Sequence, residues 1–415
     1  MSKEIVIIGG GIIGLSCAYY LQKEGHQVTV IDKSNFTSGA SFVNAGYITP
    51  SHIVPLSSPG IINKGIIWMF NSSSPFYVKP RLDFDFLQWA YAFKKSATDK
   101  KVKRAMPVIK DINIISRDLY AEMKSENIFD FAYDHKGLLM LYKTDKAGEE
   151  EWKVAEEAIK LGLKVDHLRK EELNKIDPKA DFNCKGAIFF HSDAHMTPNN
   201  FIIEFRNYLE KVGVKILANE EILSVKLSNN RIRSIQTTNK TFKADEFVLA
   251  AGAWSQNFAK KINLNIPIQA GKGYRINVTR ETYISIPAIL CEAKVAVTPM
   301  QGFTRFAGTM ELGGINHKIN PVRVNAIASA AEKYYNHLKI NTEEKQDAQC
   351  GLRPCSPDGL PFIGKSKKCT NLTIATGHAM MGWSLGPATG KLVSEVIDGK
   401  NTSMDINPFH PDRKF

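Results

Sequence analysis

Apolar residues along this chain come in short blocks separated by glycine, proline and polar residues, and the first block sets the theme. Ile5-Val6-Ile7-Ile8 is a continuous apolar run of strand length, as expected of a strand buried on both faces of a parallel sheet. It breaks at Gly9-Gly10-Gly11-Ile12-Ile13-Gly14. Helical spacing then continues over 12–24 and stops at Gly25, a natural helix-ending residue. Gln27-Val28-Thr29-Val30-Ile31 reads as a second strand, delivering Asp32 at its end.

Gly9, Gly11 and Gly14 satisfy G-x-G-x-x-G, and each has a physical task. Gly9 turns tightly off the strand, Gly11 lets the backbone close on a pyrophosphate, and Gly14 lets the helix pack against the sheet. The helix N-terminus offers unpaired N–H groups to phosphates. Asp32 stands where a carboxylate accepts hydrogen bonds from an adenosine ribose. A dinucleotide-binding βαβ unit is predicted.

Residues 34–60 are rich in Ser, Gly, Asn and Pro and longer than an ordinary connection, a length usually tied to function. Residues 68–97 carry a dense aromatic set, including Trp68, Phe70, Phe84, Trp89, Tyr91 and Phe93. Helices around a Pro-punctuated turn are predicted there, forming core, a pocket wall or a docking face. Further helices are predicted over 108–127, 149–161, 324–337 and 386–399, with strands over 137–142, 186–190, 214–217, 247–250 and 371–376. Thr197 and Pro198 are placed as N-cap and first residue of another helix. A meander is predicted over 221–237 and alternating strands over 276–306. Ala251-Gly252-Ala253, directly after a buried strand, fits either close approach to a nucleotide or a simple tight turn. The predicted fold class is α/β: a discontinuous Rossmann-like domain from 1–60, 195–262 and 346–415, beneath an α+β, mixed-sheet substrate domain from 61–194 and 263–345.

With 415 residues, 43% apolar and 23% charged, the chain has the balance of a soluble two-domain protein. No run approaches the ~18 apolar residues of a membrane span, and the fingerprint begins too early for a cleavable signal peptide. The six cysteines show neither C-x-x-C nor metal-ligand spacing, so reduced thiols, a cytoplasmic setting and no metal site are expected. The net charge of +12 admits nucleic acid, an anionic membrane or an anionic ligand. Its one cluster, Lys94, Lys95, Lys100, Lys101, Lys103 and Arg104, reads as a solvated helix face or a binding patch.

Three segments together resemble a known family: Ser41-Phe42-Val43-Asn44-Ala45-Gly46, the run from Cys350 through Arg353-Pro354 to Gly364, and Gly377-His378 through Gly382-Trp383-Ser384. The chain is similar, over its whole length, to the flavoprotein family of D-amino-acid dehydrogenases, glycine oxidases and sarcosine oxidases, and most of all to the bacterial D-amino-acid dehydrogenases. That resemblance implies non-covalent FAD rather than NAD. It implies cofactor contacts at Ile12, Ile13, Lys33, Ala40, Ser41, Asn44, Ala45, Gly46, Val225, Ala251, Gly252, Gly382, Trp383 and Ser384, beside Gly9, Gly11, Gly14 and Asp32. Cys350 sits one place from where the sarcosine-oxidase branch tethers its flavin.

By the same resemblance Arg353 grips a substrate carboxylate, a role suited to its planar, bidentate fork. Tyr274 and His378 are the other catalytic candidates; Tyr274 either donates to that carboxylate or points to water. The implied reaction removes a hydride from Cα to flavin N5, leaving an imino acid that water hydrolyses to a 2-oxo acid and ammonia. D-Alanine-like amino acids lead as substrates, with D-proline or cis-4-hydroxy-D-proline as runner-up. A quinone or carrier protein is expected as acceptor ahead of oxygen, without nucleic acid, and with peripheral contact to the inner face of the cytoplasmic membrane as an option. A non-catalytic flavin subunit, an RNA-modifying flavoenzyme and an NAD dehydrogenase are the competing readings.

Overall fold

The computed structural model describes residues 1–60, 74–79, 81 and 83–415. Two large sheets organise it. The first has six strands in the order Lys215–Leu217, Gln27–Ile31, Glu4–Ile8, Glu246–Leu249, Cys369–Thr376 and Phe362–Ser366. All its pairings are parallel except the last. Glu4–Ile8 lies at the centre because its apolar run tolerates burial on both faces: Ile5, Ile7 and Ile8 are each at most 5% exposed. From it the chain winds to one side and later returns to the other, the topology that opens a crevice at the carboxyl ends of the strands.

The second sheet has nine strands. Gln349–Cys355, Gln269–Val278, Phe303–Leu312, Val295–Met300 and Ala288–Leu290 follow one another, continued by Leu138–Tyr142, Gly186–Phe190 and Val165–Arg169. Phe76–Val78 pairs parallel with the end of Phe303–Leu312, and Ala288–Leu290 pairs parallel with Leu138–Tyr142, so the sheet is mixed as expected. One face packs on the helix Pro321–Tyr334 through Ile276, Phe306, Val324 and Ile327. Its other face roofs the crevice of the first sheet.

Most predicted elements are present within a few residues, and the differences have physical causes. Gln349–Cys355 falls in the segment 346–415 assigned to the Rossmann-like domain, yet it forms the edge strand of the second sheet. Trp68 and Phe70 lie outside the described residues. Phe76–Val78 is a strand, and Phe84–Ser96 is the one helix among the described residues of the aromatic segment. The helix expected over 108–127 starts earlier, spanning Asp99–Ser125, because the Thr98 side chain caps it by accepting from the Lys101 N–H. Thr197 does precede Pro198–Lys211, but its hydroxyl accepts from the Gln301 N–H at 3.0 Å instead of capping that helix.

The helices Ile12–Lys23 and Gly386–Asp398 touch backbone to backbone beneath the first sheet. A Cβ on Gly390 would fall 2.4 Å from the Ser16 carbonyl oxygen, which cannot yield as a side chain would. Gly390→Ala is therefore expected to cost about 1–3 kcal/mol by overpacking and to lower the thermal midpoint by several degrees. An unchanged midpoint would contradict the close helix contact.

Candidate active site

A cavity of about 1160 Å³ lies between the carboxyl edge of the first sheet and the inner face of the second. At one end is the glycine turn. Gly9 adopts φ +105°, and a Cβ there would meet the Ala250 carbonyl oxygen at 2.4 Å, so only glycine fits. The Gly10 N–H donates to Asp32 Oδ2 at 2.7 Å, while the Ser34 N–H and hydroxyl donate to Oδ1 at 2.8 and 2.7 Å. Asp32 thus braces the turn before it meets any ligand. An ionised carboxylate has about four acceptor sites, so room remains for one more donor. Ser41 Oγ accepts from the Ile12 N–H at 3.0 Å, at the start of the fingerprint helix. Lys33 Nζ sits 3.6 Å from the centroid of the Trp254 ring.

Gly9, Gly11, Ile12, Ile13, Asp32, Lys33, Ala40, Ser41, Asn44, Ala45, Ala251, Gly252, Gly382, Trp383 and Ser384 all line this cavity. Three expected contacts do not. Gly14 faces the Gly9 carbonyl, where a Cβ would lie 1.9 Å away, and so serves helix packing. Gly46 turns at φ +78° against the Met196 carbonyl. Val225 pairs with Ile235 in a separate three-stranded meander, and Glu220, Glu221 and Ile222, at the start of its first strand, line the cavity in its place.

The middle of the cavity is built by two loops held from outside. Asn44 Oδ1 accepts from the Gly46 N–H at 2.8 Å, and the Asn44 carbonyl accepts from Arg305 Nη1 at 2.6 Å. Thr298 Oγ1 donates to the Ala45 carbonyl at 2.7 Å. On the other side, Ser384 Oγ accepts from the Thr49 N–H at 2.9 Å and donates to Asn113, while Tyr120 donates to the Trp383 carbonyl at 2.9 Å. Trp383 Nε1 is buried without a protein partner. His378 faces Thr389 Oγ1 at 3.0 Å, and burial pushes its pKa down to about 3. An imidazole paired with Thr389 in this way suits a residue that positions its loop.

Arg353 reaches the cavity from Gln349–Cys355. Its guanidinium lies over Gly273, where a Cβ would come within 2.2 Å of Nη2. Nη1 donates to the Thr309 carbonyl at 2.6 Å, and Thr309 itself holds φ +70°. Among the described residues no carboxylate pairs with Arg353, and burial lowers its pKa from the usual guanidinium value. Nearby Glu311 is committed elsewhere, to Lys272 and Arg323, each at 3.2 Å. The Tyr274 hydroxyl donates to Glu311 Oε2 at 2.8 Å, so its proton is not free for a ligand carboxylate. Burial first, then Glu311, raise the Tyr274 pKa.

Sequence reasoning missed the pair Ser51 and Asp193. Ser51, which lines the cavity, donates through its hydroxyl to the buried Asp193 carboxyl and lies 3.2 Å from Nδ1 of its neighbour His52. Burial raises the Asp193 pKa to about 7. Ser51 and Asp193 are 142 residues apart, and neither sits in a motif that would have joined them. Cys350 does not line the cavity, and its thiol faces the His317 carbonyl at 3.5 Å.

The glycine cradle, the braced acid and the unpartnered indole N–H fit a dinucleotide laid across the crevice with its reactive ring beneath the second sheet. That combination is the one a dinucleotide-binding enzyme needs. The chain belongs to the DAO family of FAD dependent oxidoreductases, which matches residues 4–396. The D-amino acid dehydrogenase of Helicobacter pylori is 31% identical over 406 residues, covering 97% of this chain and 96% of that one. The D-amino acid dehydrogenase of Vibrio atlanticus is 32% identical over 410 residues, covering 95% and 96%. Among solved structures, glycine oxidase from Geobacillus kaustophilus superposes with a TM-score of 0.78 at 20% identity, covering 100% and 99%. L-Proline dehydrogenase from P. horikoshii gives 0.73 at 20% identity, covering 99% and 97%.

Because Asp32 both braces Gly10 and faces the nucleotide end, Asp32→Ala is expected to weaken FAD retention about tenfold or more, the loss of a charged acceptor. Bound flavin remaining after dialysis measures this. Retention equal to wild type would remove Asp32 from the cofactor site.

Proposed function

We propose that this chain oxidatively deaminates D-amino acids to 2-oxo acids and ammonia, with Arg353 gripping the substrate carboxylate. The observation that carries the reading is the guanidinium of Arg353, facing the cavity with no acidic partner among the described residues. A half-buried cation in that state is poised for a ligand that brings its own carboxylate. Bound FAD supplies a two-electron acceptor for the hydrogen leaving Cα. The protein's part is positioning. Thr309 fixes one edge of the guanidinium fork, and Gly273 leaves the space it occupies. Orientation of this kind can supply several kcal/mol of a barrier without a general base. Non-covalent attachment of FAD is supported by Cys350, which does not line the cavity and whose thiol faces the His317 carbonyl.

For the acceptor, a quinone or carrier protein is favoured over oxygen, with the protein resting on an anionic bilayer. No helix among the described residues is long and apolar enough to cross a membrane. The helix Phe84–Ser96 instead exposes Phe84 (78%), Leu87 (52%) and Tyr91 (66%) on one stripe. Exposed Lys94, Lys95, Lys100, Lys101, Lys103 and Arg104 follow directly. Apolar anchors beside lysines suit an interfacial contact with acidic lipid.

Two outcomes test this reading. Arg353→Ala is expected to lower kcat/KM for D-amino acids about a hundredfold or more while FAD stays bound, since truncating one side of a buried charge pair costs roughly 2–5 kcal/mol. Near-normal kcat/KM would remove Arg353 from substrate binding. The protein should also co-sediment with phosphatidylglycerol vesicles at low salt and be released as salt rises, and F84S/Y91S should abolish that sedimentation. Equal sedimentation of wild type and variant would refute docking through this stripe.

A further inference from the structure

We infer, for the deamination proposed above, that the substrate side chain is large and apolar, aromatic or branched, and lies in a gallery running from Arg353 across the roof of the cavity. The register of the second sheet defines the gallery. Ala307 stands opposite Ala296, Ala296 opposite Ile289, and Ile289 opposite Met140, and all four line the cavity. Adjacent strands are about 4.8 Å apart, so this row extends about 14 Å. It begins on Phe303–Leu312, the strand whose Thr309 carbonyl holds Arg353.

Exposure indicates where the space lies. Ala296 and Ile289 are half-buried although they sit on central strands. Their strand neighbours Ala288, Leu290, Val295 and Val297 are 0–2% exposed, sealed into the opposite face. The openness at Ala296 and Ile289 therefore belongs to the cavity. Nearest the clamp the wall is made of Ala307, Gly308 and Ala296, which leave room beyond a methyl group. Further out the half-buried Ile289 is followed by Met140 and Phe190, only 9% and 3% exposed, apolar residues that close the far wall.

Charge points the same way. At the far end Lys294 and Glu151 pair with each other at 2.7 Å. A carboxylate or ammonium carried on the substrate side chain would find neither partner free there. An apolar side chain needs neither and gains from each methylene placed in the gallery.

The test measures kcat/KM of the FAD-loaded enzyme with phenazine methosulfate as acceptor, using D-phenylalanine, D-leucine, D-alanine and D-aspartate. D-Phenylalanine and D-leucine are expected to exceed D-alanine by about tenfold or more, with D-aspartate below D-alanine. Ala296→Phe should fill the near gallery and cut the D-phenylalanine to D-alanine ratio at least about tenfold, with flavin absorbance reporting that the variant is folded. Met140→Trp, at the far end, is the second variant and should penalise D-phenylalanine more than D-leucine. A wild type that prefers D-alanine, or variants that slow every substrate equally, would overturn the gallery and leave the deamination standing. Failure to oxidise any D-amino acid would overturn both.

Discussion

A half-buried guanidinium that faces the crevice without an acid beside it is the constraint around which this molecule is arranged. Taking a charge out of water costs several kcal/mol even after relaxation. For Arg353 the structure offsets only part of that cost, through the Thr309 carbonyl. Thr309 is itself held in the left-handed region, a strain of about 1–3 kcal/mol for a residue with a Cβ. The acid that could have neutralised the site, Glu311, is surrounded by Lys272, Arg323 and the Tyr274 hydroxyl. The remaining positive charge is left to the ligand, and the fold places it facing the crevice.

Around that charge, each sheet contributes what the other cannot. The first supplies the glycine turn and the carboxyl-edge crevice, fixed by parallel pairing of Glu4–Ile8 with both neighbours. The second supplies a rigid apolar roof and, through Arg305 and Thr298, holds the loop at Asn44 and Ala45 from behind. The helix Asp99–Ser125 does the same for the opposite loop, with Asn113 on Ser384 and Tyr120 on Trp383. Sites assembled this way depend on side chains distant in sequence, so their precision comes from packed sheets and helices and not from the loops themselves.

Local signals made part of this legible in the sequence. The strand, glycines, helix, cap and acid of residues 4–32 are set by contacts between near neighbours, and they fold as read. The late Arg353 segment was legible through resemblance and through the chemistry of a planar cation. What could not be read depends on pairing register and long-range partners. Gln349–Cys355 joins the second sheet because it pairs with Gln269–Val278, a choice its own residues do not encode. Tyr274 and His378 carry plausible chemistry in one dimension, but Glu311 and Thr389 claim their polar atoms. Val225 missed the cavity by three residues along its own strand, where Ile222 lines it. Ser51 and Asp193 meet only in the folded chain.

If a free guanidinium selects the ligand, the substrate's carboxylate must matter more than its bulk. The most direct measurement is anaerobic flavin reduction by a D-amino acid and by the corresponding D-amino-acid amide, which keeps the amine, Cα and side chain but lacks the anion. The account predicts that the amide reduces the flavin at least about a hundredfold less efficiently, the loss expected for a buried charge-assisted pair. Equal reduction by acid and amide would contradict it.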